Sequence, residues 1–224
     1  TWVTQLIDHQ EMVIWLLLDH QIKFQLKFFK KEILNLKNLG PQWKIPAPGR
    51  LMKKKLLNLI KKKNKQKIVS LTAYSKNVAS ILDNYCDVIL VGDSLGSVLY
   101  NYKSTREVSL DTMINHSKSV RMGIKKTLMV VDMPHNTYRN SKEALKNAKK
   151  IMSKTRCDAV KLEGGKKIYE IIKTLIRNKI PVMGHLGLLP QSDKTFKFKG
   201  KKKLERDRIL KDALLLEKAG VFSI

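Results

Sequence analysis

The sequence predicts an α/β protein built from repeated βα units around a parallel sheet. Short apolar runs recur at residues 68–73, 88–93, 128–132, 159–163, 181–185 and 221–224, and stretches of helical spacing separate most of them. The runs are apolar at nearly every position instead of alternating, as expected of strands covered on both faces. No Gly-x-Gly-x-x-Gly follows the first run, which counts against a dinucleotide-binding sheet. On this pattern alone, a barrel and an open doubly wound sheet both remain.

Residues 1–50 read as an N-terminal extension of unknown role. They mix Leu, Ile, Phe and Lys without a clean period and end in the breaker cluster Gly40, Pro41, Pro46, Pro48 and Gly49. A domain boundary is therefore placed near residue 50, with residues 51–224 forming the barrel-type unit. The apolar run 12–18 is too short to span a bilayer. Asp8 and Glu11 precede it where a signal peptide needs basic residues, and no small-residue cleavage site follows. The expected location is cytoplasmic. His9 and His20 are isolated and read as surface or packing residues.

From residue 51 the elements follow in order. Residues 51–63 form a basic amphipathic helix and 68–73 a strand. A helix over 76–84 leads to the strand 88–93, whose apolar run ends in Gly92 and Asp93. A helix over 109–122 precedes the strand 128–132, ending in Asp132. The helix 141–153 has Ser141 at its predicted N-cap and Glu143 in its first turn. The strand 159–163 ends in Glu163 and is broken by Gly164 and Gly165. A helix over 167–178, a strand over 181–185, and a helix over 204–219 stopped by Gly220 complete the pattern. Residues 221–224 begin a further strand.

The strand ends carry the chemical signal. Three successive apolar runs finish in Asp93, Asp132 and Glu163. An acid at the end of a buried run is costly to desolvate without a partner. In a parallel barrel these ends share one rim, and a hard divalent cation such as Mg²⁺ would relieve their repulsion. Taken singly, an acid at a strand end is usually a solvated terminus or a helix N-cap. Ser94 is either a substrate-oxygen donor or an N-cap. Lys161 lies two residues before Glu163, so both side chains share one strand face. An anionic substrate would explain that lysine, and so would an ion pair with Glu163 or a neighbouring acid. His185 is either an accessory substrate contact and proton carrier near neutral pH or a structural histidine. His116 and His135 read as structural or surface residues.

The chain has 224 residues, 43% hydrophobic, which is enough for a sizeable core. Its formal charge is +26, from 45 Lys and Arg against 19 Asp and Glu. Such an excess raises the possibility of a basic nucleic-acid-binding protein. The lysines are dispersed, however, and no zinc-finger spacing or aromatic RNA-binding strand accompanies them, so no specific nucleic acid is expected. Cys86 and Cys157 are too few for a disulfide framework and read as buried thiols.

Six segments, in register, resemble the ketopantoate (3-methyl-2-oxobutanoate) hydroxymethyltransferase family: LTAY at 71–74, VGDSLG at 91–96, VDMP at 131–134, VKLEGG at 160–165, GHLGLLPQS at 184–192 and DALLLEKAG at 212–220. The resemblance covers roughly residues 55–224 and implies a (β/α)₈ TIM-type barrel, represented here by about its first five and a half units. It implies hydroxymethyl transfer from 5,10-methylenetetrahydrofolate to 3-methyl-2-oxobutanoate, giving 2-dehydropantoate in pantothenate biosynthesis through a Mg²⁺-stabilised enolate. By the same resemblance Asp93, Asp132 and Glu163 hold Mg²⁺, some through water, and Asp93, Ser94, Asp132 and Lys161 contact the 2-oxo acid. The family assembles as a homo-oligomer, a decamer, with the oxo acid and folate as partners. Its general base, a glutamate ending the sixth strand, falls beyond Ile224, so no catalytic base is assigned. The Gly-rich loop expected after Ser192 is instead Lys-rich over 195–203. Two other enzyme-related readings are a Mg²⁺-dependent 2-oxo acid lyase of the phosphoenolpyruvate/pyruvate barrel group and an inactive fragment.

Overall fold

The computed structural model describes residues 50–63, 65–193 and 197–224. The predicted boundary near residue 50 and the histidines before it lie outside the described residues. The elements are α1 (Arg50–Lys61), β1 (Ser70–Thr72), α2 (Lys76–Leu82), β2 (Val88–Val91), α3 (Leu95–Tyr100), α4 (Leu110–Gly123), β3 (Leu128–Asp132), α5 (Ser141–Thr155), β4 (Ala159–Glu163), α6 (Tyr169–Arg177), β5 (Val182–His185) and α7 (Lys203–Ala219). Among the described residues the strands form one parallel sheet in the order β1-β2-β3-β4-β5. Phe222 donates its backbone N–H to Val182 O, and Gly184 donates to Ser223 O, so the chain after α7 begins a sixth parallel strand. Parallel strands in unbroken sequential order are the wall of a (β/α)₈-type barrel, with each strand's C-terminus on one rim.

Period-two geometry separates two cores. Ile89, Val91, Met129, Val131, Val160, Leu162 and Val182 belong to the larger core shared with the outer helices. Val88, Leu128, Val130 and Ala159 belong instead to a second core with Leu56 and Leu59 of α1. Several of these are the first residues of their strands, so α1 closes the N-terminal end of the sheet's other face. Lys55 Nζ anchors it through Thr127 O at 2.9 Å and Asp158 at 3.4 Å. Asp132, Lys161, Glu163 and His185 share the strand parity of that second core, so the same face presents them at the opposite, C-terminal end.

The elements agree with the sequence reading apart from local differences. The N-cap of α5 is Asn140, whose side chain accepts from Glu143 N at 2.9 Å. Ser141 is the first helical residue, a correction by one position, because Asn140 holds the extended conformation a cap needs. The short helix α3 was not anticipated; its six residues, Gly96 among them, carry little intrinsic helical signal. Cys157 is buried and Cys86 half-buried, both as free thiols. Burial pushes the Cys157 thiol up to about 12. No helix among the described residues is long and apolar enough to cross a membrane.

Candidate active site

The rim is assembled by register. Asp132 lies opposite Lys161 across β3 and β4, and Glu163 opposite His185 across β4 and β5. Asp93 follows β2 by two residues. Asp93, Asp132 and Glu163 are all buried. The structure therefore brings the three acids, Lys161 and His185 to one rim, with Ser94 beside Asp93.

Each acid has a different environment. Asp132 accepts from Lys161 Nζ at 2.9 Å and from the backbone N–H of Asp93 at 3.2 Å. Asp93 Oδ2 accepts from Gln191 Nε2 at 2.7 Å. Glu163 Oε1 is buried and has no hydrogen-bond donor among the described residues. Burial, reinforced by the charge of Asp93, pushes the Glu163 carboxyl up to about 8 against the pull of Lys161. Gly92 permits this crowding: a Cβ there would lie 3.0 Å from Ser94 Oγ and 3.6 Å from Asp132 Oδ2.

Ser94 occupies the N-cap position of α3, yet its side chain makes no cap hydrogen bond. Its Oγ instead lies 2.8 Å from the Tyr74 hydroxyl. His116 fixes the same corner from behind, with Nδ1 2.8 Å from Tyr74 O and Nε2 2.8 Å from the Tyr100 hydroxyl. His185 Nδ1 lies 3.7 Å from Glu163 Oε2. Burial, followed by the nearby Lys161 ammonium, lowers the His185 pKa to about 3. That shift favours the neutral ring near pH 7. Burial, then Arg106, also lowers the pKa of His135.

Sequence reasoning assigned no role to Gln191, Tyr138, Tyr74 or Arg106. Gln191 and Tyr74 were visible only as parts of the GHLGLLPQS and LTAY segments, and Tyr138 and Arg106 carry no local signal. Gly165 admits a related long-range contact: a Cβ there would fall 1.9 Å from Asp212 Oδ2, whose partner oxygen accepts from Lys166 N at 3.1 Å.

Three carboxylates on adjacent strand ends, one with an unpaired buried oxygen, are the donor chemistry a hard cation takes. Among the described residues no three His, Cys, Asp or Glu side chains stand close enough to form a complete ligand cluster. A cation held here would therefore have one or two direct carboxylates and fill its other positions with water, as Mg²⁺ does in many sites.

The fold and this rim define a βα-barrel protein whose polar machinery gathers at the strand C-termini. A solved structure of similar fold is phosphonopyruvate hydrolase in complex with oxalate and Mg²⁺, with a TM-score of 0.58 over 75% of this chain and 60% of that one. At 11% identity, that likeness concerns the fold alone. The family model for ketopantoate hydroxymethyltransferase matches residues 53–224, and the chain belongs to that family. The 3-methyl-2-oxobutanoate hydroxymethyltransferase of Pelagibacter ubique (strain HTCC1062) is 76% identical over 173 residues, covering 77% of this chain and 67% of the relative. The enzyme of that name from Bartonella tribocorum (strain CIP 105476 / IBS 506) is 48% identical over 167 residues, 73% of this chain and 62% of the relative. The chain thus spans about two-thirds or less of the length of these relatives.

Proposed function

We propose that this chain carries the metal- and oxo-acid-binding part of a 3-methyl-2-oxobutanoate hydroxymethyltransferase, which transfers a hydroxymethyl group from 5,10-methylenetetrahydrofolate to give 2-dehydropantoate. Asp93, Asp132 and Glu163 would hold Mg²⁺, partly through water. When bound, the cation supplies Lewis acidity toward the keto oxygen of the substrate. The observation that carries this reading is the buried Glu163 Oε1 without a hydrogen-bond donor, on the rim that also carries Asp93 and Asp132, in a chain of this family.

The chain's own groups have distinct tasks. Lys161, now paired with Asp132 at 2.9 Å, offers its ammonium to the substrate carboxylate. Ser94 offers a hydroxyl oriented by Tyr74. Asp93 and Asp132 line the same oxo-acid subsite. Burial raises the pKa of the Glu163 carboxyl, so a cation held there would bind in competition with its proton. His185 stays neutral and serves as an accessory hydrogen-bonding contact. No residue of this chain is assigned as the base that removes the proton next to the keto group. By the family resemblance, the reading includes a decameric homo-oligomer in the cytoplasm. The family match favours the transferase over the lyase, whose support is a likeness of fold. The dispersed lysines favour it over a nucleic-acid binder.

The test is binding of 3-methyl-2-oxobutanoate to this chain, followed by saturation-transfer NMR with Mg²⁺ or with EDTA. Binding that needs Mg²⁺ and is lost in Lys161→Met is expected. Binding indifferent to both would refute the assignment. Deuterium exchange at C3 of the oxo acid, by the Pelagibacter relative carrying residues 53–224 of this chain in place of its own matching segment, then tests the chemistry.

A further inference from the structure

Gln191 is a buried polar side chain that the proposed chemistry leaves unused. Its amide is fully engaged. Nε2 donates to Asp93 Oδ2 at 2.7 Å and to Met133 O at 3.0 Å. The Tyr138 hydroxyl donates to Oε1 at 2.5 Å. Arg106 grips the same residue from outside, with Nε donating to the Gln191 carbonyl at 2.9 Å. The loop is also braced internally, since Leu189 N donates to Asp193 Oδ2 at 3.0 Å.

These partners permit one amide orientation. Turned over, Oε1 would face a carboxylate oxygen and a carbonyl oxygen, two acceptors with no proton between them. Tyr138 can donate to Oε1 only in the observed orientation, so it selects the rotamer that points Nε2 at Asp93. The contact joins residues 98 apart in sequence, tying the loop after β5 to the end of β2.

We propose that Gln191 is a positioning residue that holds the Asp93 carboxylate at the rim for the cation, with Tyr138 fixing the direction of its amide. This rests on the cation-binding reading above. A hydrogen-bonded partner behind a ligating carboxylate restricts its rotation, and losing such a partner weakens metal affinity by roughly 10- to 100-fold.

The experiment uses this chain and two readouts. The first is the ¹⁵N side-chain amide signal of Gln191, recorded in EDTA. Slow exchange with solvent, shortened in Tyr138→Phe, is expected; a rapidly exchanging amide indifferent to Tyr138→Phe overturns the clasp whatever metal does. The second is Mn²⁺ affinity by electron paramagnetic resonance. Gln191→Leu is expected to weaken it at least about tenfold. Tyr138→Phe, which keeps the ring and its packing, weakens it less, and adds nothing in the Gln191→Leu background because it acts through that amide. Mn²⁺ binding that Gln191→Leu leaves within twofold overturns the positioning role while the cation site stands. A clasp visible by NMR in a chain that binds no Mn²⁺ overturns the cation site, and the positioning role with it.

Discussion

Glu163→Gln separates the cost of the acidic rim from its use. The Glu163 carboxyl is pushed from 4.5 up to about 8, chiefly by burial, then by Asp93. Between those two values the folded chain holds a proton that the unfolded chain has released. Stability linked to this group is therefore present at low pH and lost as pH rises toward 8. Each pKa unit corresponds to about 1.4 kcal/mol, so the shift amounts to ~5 kcal/mol well above pH 8 and ~3 kcal/mol at pH 7. Glutamine keeps the shape and stays neutral throughout. Urea unfolding in EDTA, followed by circular dichroism from pH 5 to 8, should show the variant gaining on the parent by about 1.4 kcal/mol per pH unit above pH 5. Mg²⁺ should narrow that gap by stabilising only the parent. Parallel pH profiles for the two chains in EDTA would refute the reasoning, since they would mean that Glu163 is ionised at ordinary cost.

Two further outcomes follow from individual residues. Asp83 accepts backbone N–H bonds from Lys125, Lys126 and Thr127 at 2.9–3.0 Å, and although burial opposes it, these bonds hold its pKa below the ordinary value. Asp83→Ala should cost about 3 kcal/mol by denaturant unfolding at pH 7. The loss should shrink as pH falls below the usual carboxylate range, because this stability is present only while the carboxylate is ionised; a cost unchanged at low pH would refute that. The His185 ring, half-buried and with a pKa lowered to about 3, should show no titration between pH 5 and 8 in long-range ¹H–¹⁵N spectra, and a midpoint near 6.5 would refute that lowering by desolvation and Lys161.

The sequence alone determined the strands, most of the helices and the common face of Lys161 and Glu163. Apolar runs locate buried strands, and the two-residue period puts Lys161 and Glu163 on one face whatever surrounds them. The acids at the ends of three runs were legible because a charge closing an apolar segment is a local event. Register and burial belong to the tertiary structure. Only strand pairing sets Lys161 against Asp132 and Glu163 against His185. Only the path of the loop after β5 brings Gln191 to Asp93, and only packing around it makes His185 neutral. These features depend on contacts between residues far apart in the chain, where hydrogen-bond geometry and desolvation are fixed by the assembled sheet and leave no periodic trace in the sequence.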